Sequence, residues 1–144
     1  MKNIIILLLI IVFPGYGFSQ ANDSASIVRV LEKESATWRS GDSTAHAACW
    51  RIEPYSTVIV MTADGKTFSF PSDKIMHPAP GTMGKGGTSK NTNYTVSIHG
   101  SAALVTHNES STDVSGKVSN SYEVRMLEKT NDGWKITGQI IQIL

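Results

Sequence analysis

Four β-strand patterns joined by very short turns fill the C-terminal third of the chain, and they limit its fold more than any other feature. The strands are predicted at residues 94–99, 102–112, 117–129 and 134–144. Turns of two or three residues are predicted at Gly100-Ser101, Ser115-Gly116 and Asn131-Asp132-Gly133. Turns this short join antiparallel neighbours, because a parallel connection needs a long crossover. An antiparallel meander is therefore expected here.

Helices are predicted before the sheet. Asp23-Ser24 supplies N-cap oxygens, and residues 27, 31, 35 and 38 then fall on one helix face. Gly41 is a typical helix-ending residue, and Asp42 can cap a second helix from Ser43 to about Trp50. Helices followed by a meander predict an α+β fold, with the helices packed on one face of the sheet.

The segment between the helices and the meander has mixed character. A hairpin is predicted from the β-branched run 56–61, the Asp64-Gly65 turn signal and the return strand 67–70. A short helix at 71–76 and a Gly/Pro-rich loop at 77–93 follow. A loop of that length is either functional or simply a mobile surface segment.

Residues 1–20 have the layout of a secretory signal. Lys2 precedes an unbroken apolar run from Ile4 to Phe13, and a segment with Pro, Gly and small residues follows up to Ala21. The run is too short to span a bilayer. We expect cleavage near Gln20 or Ala21, which leaves a single exported domain, periplasmic or secreted, at residues 21–144.

Charge and composition exclude several function classes. The chain carries a formal net charge of +1, and without Lys2 its basic and acidic residues balance. A neutral domain lacks the basic footprint of a nucleic-acid binder. Cys49 is the only cysteine, so no intramolecular disulfide can form, and the four histidines show no metal-ligand spacing. No metal, cofactor, nucleic-acid partner or membrane span is predicted.

The turn lengths predict which residues lie opposite one another. With two-residue turns at Gly100-Ser101 and Ser115-Gly116, Tyr94 faces His107 and His107 faces Val124. The resulting inward face is mostly apolar, with a polar group of His107, Glu109, Tyr122 and Gln142. This group is expected to be a mutually satisfied network, a hydrated sheet edge or the polar end of a ligand pocket. Leu104, Leu127, Ile141 and Ile143 are predicted on the outer face, either as a dimer contact or as scattered apolar residues.

Four stretches stand out: the helix ending in Trp38-Arg39-Ser40-Gly41-Asp42, the Ala48-Cys49-Trp50 segment, the Asp64-Gly65 turn and the Gly133-Trp134-Lys135-Ile136 strand start. Together they resemble the nuclear transport factor 2-like superfamily, which includes SnoaL-like polyketide cyclases and ketosteroid isomerases. The resemblance spans nearly all of residues 21–144. The chain also resembles exported bacterial members of this superfamily without an assigned activity.

The resemblance implies a cone in which a curved antiparallel sheet, a half-barrel, wraps around the N-terminal helices and leaves a pocket at its open end. It also implies dimers formed through the sheet. The sequence departs from catalytic members in two places. Residues 137–140 lack the histidine that some of them carry late in the last strand, and the loop 77–93 largely replaces a central helix.

Three functions follow from these observations. The first is binding of a small hydrophobic molecule in the sheet concavity, with a lining of Trp38, Trp50, Tyr55, Tyr94, His107, Glu109, Tyr122 and Gln142. The second is a hydrolase-, lyase- or isomerase-like reaction in which His107 works with Glu109 or Asp42 as acid and base. The third is a structural module that dimerises through Leu127, Ile141 and Ile143. His46 is expected to face either the cavity or solvent. Asp42 has a second interpretation as the N-cap of the second helix.

Overall fold

The computed structural model describes residues 16–79 and 81–144. Most of the predicted leader therefore lies outside the described residues, and its cleavage stays a prediction. Within the described part, no helix is both long enough and apolar enough to cross a membrane.

Two helices open the described chain. Helix α1 spans Tyr16–Ser40, and α2 spans Ser43–Ala47. Between them, Gly41 has a φ of 75°, and the Asp42 side chain accepts a hydrogen bond of 2.9 Å from the Ala45 amide. The predicted N-cap role of Asp42 is confirmed. Helix α2 ends before Trp50, which instead forms a parallel bridge with Ile136.

The predicted N-cap at Asp23-Ser24 is wrong, because α1 continues through these residues and leaves no free helix end there. The Asp23 carboxylate instead accepts hydrogen bonds from the Lys129 ammonium at 2.8 Å and the Trp134 indole at 3.0 Å. It thereby ties the first part of α1 to the far end of the sheet.

Six strands form one sheet. They are β1 (Thr57–Met61), β2 (Thr67–Phe70), β3 (Thr88–His99), β4 (Ala102–Thr112), β5 (Val118–Thr130) and β6 (Gly133–Ile143), and a short helix α3 (Ser72–Met76) follows β2. The spatial order is β2-β1-β6-β5-β4-β3. Strand β1 runs parallel to β6, so the sheet is mixed and not antiparallel throughout. The predicted α+β class, with helices on one face of the sheet, is confirmed.

Helix α1 packs its apolar stripe onto the concave face of this sheet. Ile27 and Leu31 are fully buried there against Val105, Leu127 and Ile136. Strand β3 begins at Thr88, six residues earlier than the sequence pattern indicates, so the predicted loop 77–93 is wrong from residue 88 onward.

The register of β5 differs by one residue from the prediction. The β3–β4 pairing follows the predicted register at Val96–Val105, but His107 lies opposite Glu123 instead of Val124. The β4–β5 turn contains three residues, 114–116, and Gly116 adopts a φ of 84° that closes it. Since side chains alternate along a strand, this single extra residue inverts both faces of β5.

The inversion moves two groups of residues. Ser121, Glu123, Arg125 and Leu127 face the concave side, whereas Tyr122, Val124 and Met126 lie on the convex side.

In β6, a bulge at Thr137 restores the predicted pairs Val124–Ile140 and Tyr122–Gln142, but these lie on the convex face. The predicted inward placement of Tyr122 and Gln142 is therefore wrong. So is the predicted outer placement of Leu127, Ile141 and Ile143, which face the interior.

Candidate functional site

A cavity of about 630 Å³ lies between the helices and the concave face of the sheet. This is within the usual size range of small-molecule pockets. Its apolar wall includes Trp38, Trp50, Val58, Val60, Ile141 and Ile143. The opposite wall is polar, because the β5 register and the β6 bulge turn polar side chains of these strands inward. These side chains form two buried hydrogen-bond networks.

Arg125 is the centre of the first network. Its Nη1 donates to Glu34 Oε2 of α1 at 3.0 Å, and its Nε and Nη2 donate to Glu123 Oε2 at 3.0 and 2.5 Å. Ser121 Oγ and Gln139 Nε2 also donate to Glu123, at 2.9 and 3.3 Å. All five side chains are buried. The network therefore joins the first helix to the two central strands.

The charges of this network stabilise one another. Burial is the largest single effect on the Glu123 carboxyl and opposes its ionisation, but Arg125, His107 and the hydrogen bonds together lower its pKa below the usual value. Burial also opposes the Arg125 charge, yet Glu34 and Glu123 raise the pKa of its guanidinium. Both groups therefore remain ionised although they are buried.

Glu109 of β4 is the centre of the second network. Its Oε2 accepts a hydrogen bond of 2.6 Å from Ser35, whose hydroxyl lies 3.0 Å from that of Ser89. Its Oε1 pairs with the Arg39 guanidinium. Burial raises the pKa of Glu109, and the Ser35 hydrogen bond and the Arg39 charge oppose that rise. Glu109 lines the cavity as predicted.

His107 lies behind this polar wall. Its ring packs on Tyr94 with centroids 5.0 Å apart, and its Nε2 lies 3.7 Å from Glu123 Oε2. Burial, followed by the nearby Arg125 charge, lowers the pKa of His107 and favours the neutral ring. Neither His107 nor Tyr94 is among the residues that line the cavity. The Tyr94 hydroxyl instead donates to Glu32 at 2.7 Å.

His46 lies on the inner wall of the cavity, which decides between its two alternatives. It is 1% exposed and packs between Trp38 and Trp50, with ring centroids 5.3 and 6.1 Å away. Its Nδ1 lies 3.5 Å from Glu34 Oε1, and among the described residues neither ring nitrogen has a hydrogen-bond partner. Within residues 16–79 and 81–144, no three His, Cys, Asp or Glu side chains form a metal-binding group.

The other predicted site residues lie elsewhere. Tyr55 is 59% exposed and donates to Glu128 at 2.5 Å, and Asp42 is an exposed cap. Tyr122 and Gln142 belong to the convex face. Of the predicted ligand-binding residues, Trp38, Trp50 and Glu109 reach the cavity wall, and His46 joins them there.

Sequence reasoning missed Glu34, Arg39, Glu123 and Arg125. Two signals were present. Ser35 interrupts the apolar stripe of the first helix, and Ser119, Ser121, Glu123 and Arg125 alternate along β5. An alternating polar row usually indicates a solvent-facing strand side, and the predicted inward placement of Tyr122 puts this row on the outer face, whereas the structure turns it inward.

No known protein-family profile matches the chain, and no curated protein matches it significantly. Solved structures do. A Novosphingobium aromaticivorans NTF2-like protein with a cystatin-like fold superimposes with a TM-score of 0.67 at 18% identity, covering 88% of this chain and 85% of that one. This chain has the NTF2-like, cystatin-like fold.

Two further structures show the same fold with different names. A candidate dehydratase of the NTF2-like family from Streptomyces avermitilis gives a TM-score of 0.68 at 16% identity, covering 87% of this chain and 98% of that one. The S. rosetta CaMKII hub gives 0.61 at 16% identity, covering 83% and 95%. The resemblance seen in the sequence is thus confirmed for the NTF2-like fold, while one fold hosts several functions.

Replacing Arg125 by Met should strongly destabilise the domain, because Glu34 and Glu123 would remain as unpaired buried carboxylates. We expect a loss of about 3–5 kcal/mol in the free energy of unfolding, measured by urea denaturation. The matched control Arg51→Met removes exposed ion pairs with Glu53 and Glu128 and should cost less than about 1 kcal/mol. A triple variant that adds E34Q and E123Q to R125M should recover part of the loss. Equal effects of R125M and R51M would contradict the proposed role of the network.

Proposed function

We propose that this domain binds a small, largely apolar molecule in the cavity beneath the sheet. The observation that carries the proposal is the cavity of about 630 Å³, in which an apolar wall faces charged groups that are already paired with one another. A cavity built this way takes most of its binding free energy from apolar contact, at roughly 25 cal/mol per Å² buried.

The paired state of the polar wall supports an apolar ligand. The strongest hydrogen bonds of this wall join the Arg125 guanidinium to the Glu34 and Glu123 carboxylates. A polar ligand would have to compete with these charge-assisted bonds in a buried setting, which is costly. An apolar ligand leaves them intact.

The acid–base alternative predicted from the sequence receives no support from the geometry. His107 lies behind the cavity wall, Asp42 is used as an exposed helix cap, and Glu109 is bonded to Ser35 and Arg39. The resemblance to a candidate dehydratase concerns the fold. General acid–base catalysis requires the acid and the base within hydrogen-bond reach of a bound substrate. Neither His107 with Glu109 nor His107 with Asp42 meets that requirement, because His107 and Asp42 do not line the cavity.

The cavity can be tested with the uncharged fluorescent probe N-phenyl-1-naphthylamine. We expect the wild-type chain to bind it, and Val60→Trp to weaken binding at least about tenfold by filling the cavity. Ser69→Trp, on the opposite face of the neighbouring strand, is the matched control and should bind like wild type. Fluorescence titration measures the dissociation constants. Failure of the wild type to bind, or unchanged binding by V60W, would contradict the proposal.

We further propose that two copies associate through the convex face of the sheet. Leu104 and Tyr122 are 48% and 41% exposed there, beside the partly buried Val124, Met126 and Ile140. An apolar patch on an open sheet face favours association. These residues replace Leu127, Ile141 and Ile143, which sequence reasoning named for the same role.

Sedimentation velocity tests the association. We expect twice the chain mass for the wild type and a monomer for the double variant Leu104→Lys/Tyr122→Lys, because two lysines on each copy would have to be desolvated in the contact. Phe68→Lys is the control at a 48% exposed position on the opposite face of the sheet, where Phe68 pairs with the cavity-lining Val60. A monomeric wild type would refute the proposal.

We also propose export, on the support of the leader-like residues 1–20. N-terminal sequencing of protein recovered from outside the cytoplasm of its host should begin near Gln20 or Ala21. Helix α1 would then lose only its first residues, and its buried positions from Ile27 onward would be unaffected. Recovery there of a chain that starts at Met1 would contradict the proposal.

A further inference from the structure

A second cavity, here called the outer chamber, adjoins the main one. It has a volume of about 490 Å³ and is bordered by Lys85, Asp113 and Lys117. The two cavities share Trp38, Arg39, Ser111, Ser119 and Ile143 in their walls. One elongated ligand could therefore extend from the apolar cavity into the outer chamber.

Cationic side chains dominate the outer chamber. The charged side chains in its wall are Arg39, Lys85, Lys117 and Asp113. The Asp113 carboxylate stabilises the β4–β5 turn. Its Oδ1 accepts hydrogen bonds from the Ser115 amide at 2.8 Å, the Ser115 hydroxyl at 2.6 Å and the Lys117 amide at 3.0 Å. Among the ion pairs of the described residues, none involves Lys85 or Lys117. The positive charge of the chamber that lies outside any ion pair is therefore that of two exposed lysines, Lys85 and Lys117.

Arg39 stands at the junction of the two cavities. Its Nη2 pairs with Glu109, while its Nε is buried and has no hydrogen-bond partner among the described residues. An unsatisfied buried guanidinium N–H costs free energy unless an acceptor is supplied. The Arg39 charge is thus compensated by Glu109, and its Nε is a buried donor without a partner at the junction of the two cavities.

Lys85 is held at the chamber by the backbone around it. The Gly84 amide donates to the Trp38 carbonyl at 3.0 Å, and the Gly86 amide donates to the Arg39 carbonyl at 2.7 Å. These two carbonyl groups at the C-terminal end of α1 therefore have hydrogen-bond partners. A Cβ at Gly84 would lie only 2.7 Å from the Arg39 carbonyl oxygen, so the segment can approach this closely because residue 84 is glycine. Lys85 is consequently presented from an anchored segment.

We propose that the outer chamber binds an anionic group of the ligand, so that the full ligand is an amphipathic anion such as a carboxylate or sulfonate with an apolar body. This inference rests on the proposed function, because the apolar body occupies the main cavity. Lys85 and Lys117, which belong to no ion pair among the described residues, attract the anion by their charge, and Arg39 lies at the junction between the two parts of the ligand.

Two probes with the same apolar body separate this inference from the proposed function. 8-Anilinonaphthalene-1-sulfonate carries a sulfonate on the skeleton of uncharged N-phenyl-1-naphthylamine. The wild-type chain should bind the sulfonate more tightly, and added salt should weaken only that probe, because salt screens exposed charges. Substitution of V60W should weaken binding of both probes, because both need the main cavity.

The charge contribution is tested by Lys85→Gln/Lys117→Gln. We expect this double variant to weaken sulfonate binding by about fivefold, as two exposed charges would, and to leave the uncharged probe unaffected. Lys33→Gln/Lys90→Gln removes the same charge from positions outside both cavities and should leave both affinities unchanged.

The outcomes are distinguishable. If the uncharged probe does not bind at all, the proposed function fails, and the inference fails with it. If the uncharged probe binds but the sulfonate binds no more tightly, or if the two double variants weaken sulfonate binding equally, the outer chamber is not an anion site and the proposed function stands. Selective loss of sulfonate binding in K85Q/K117Q supports the inference.

Discussion

The buried contact between Arg125 and the carboxylates of Glu34 and Glu123 is the interaction on which the rest of this structure depends. It joins the first helix to the centre of the sheet through charge-assisted hydrogen bonds of 2.5 to 3.0 Å. Charges in such a position are tolerated only when each is paired. The position of α1 over the sheet, and thus the space left beneath it, is tied to the completeness of this network.

The same pairing explains the character of the cavity. Because the polar groups of the inner wall bind one another, the free surface of the cavity is left to side chains such as Val60, Ile141 and Ile143. Buried polar atoms without a partner among the described residues remain at His46, on the wall of the main cavity, and at Arg39, where that cavity meets the outer chamber. The proposal of an amphipathic ligand rests on this division between an apolar interior and a junction with the lysine-bearing chamber.

Most elements of the fold could be predicted from local patterns. Strands β2 and β4 and the short helix α3 lie where the pattern of β-branched, apolar and turn residues indicates. The candidate site was predicted less well, because the face that a strand turns inward depends on turn length. The predicted turn at Ser115-Gly116 has two residues, whereas the observed turn has three. This difference of one residue turns Glu123 and Arg125 inward and places Tyr122 and Val124 on the outer face.

The sequence by itself determined the α+β class, the antiparallel meander, the Asp42 cap and the apolar stripe of the first helix, because each depends on residues close together in the chain. Only the tertiary structure decided that β1 runs parallel to β6, that the polar row of β5 faces inward, and that His46 lies between two tryptophans at the cavity. The physical reason lies in the partners. The buried Arg125 donates hydrogen bonds to Glu34 of a distant helix as well as to Glu123 of its own strand, and spacing along one strand carries no information about the distant partner.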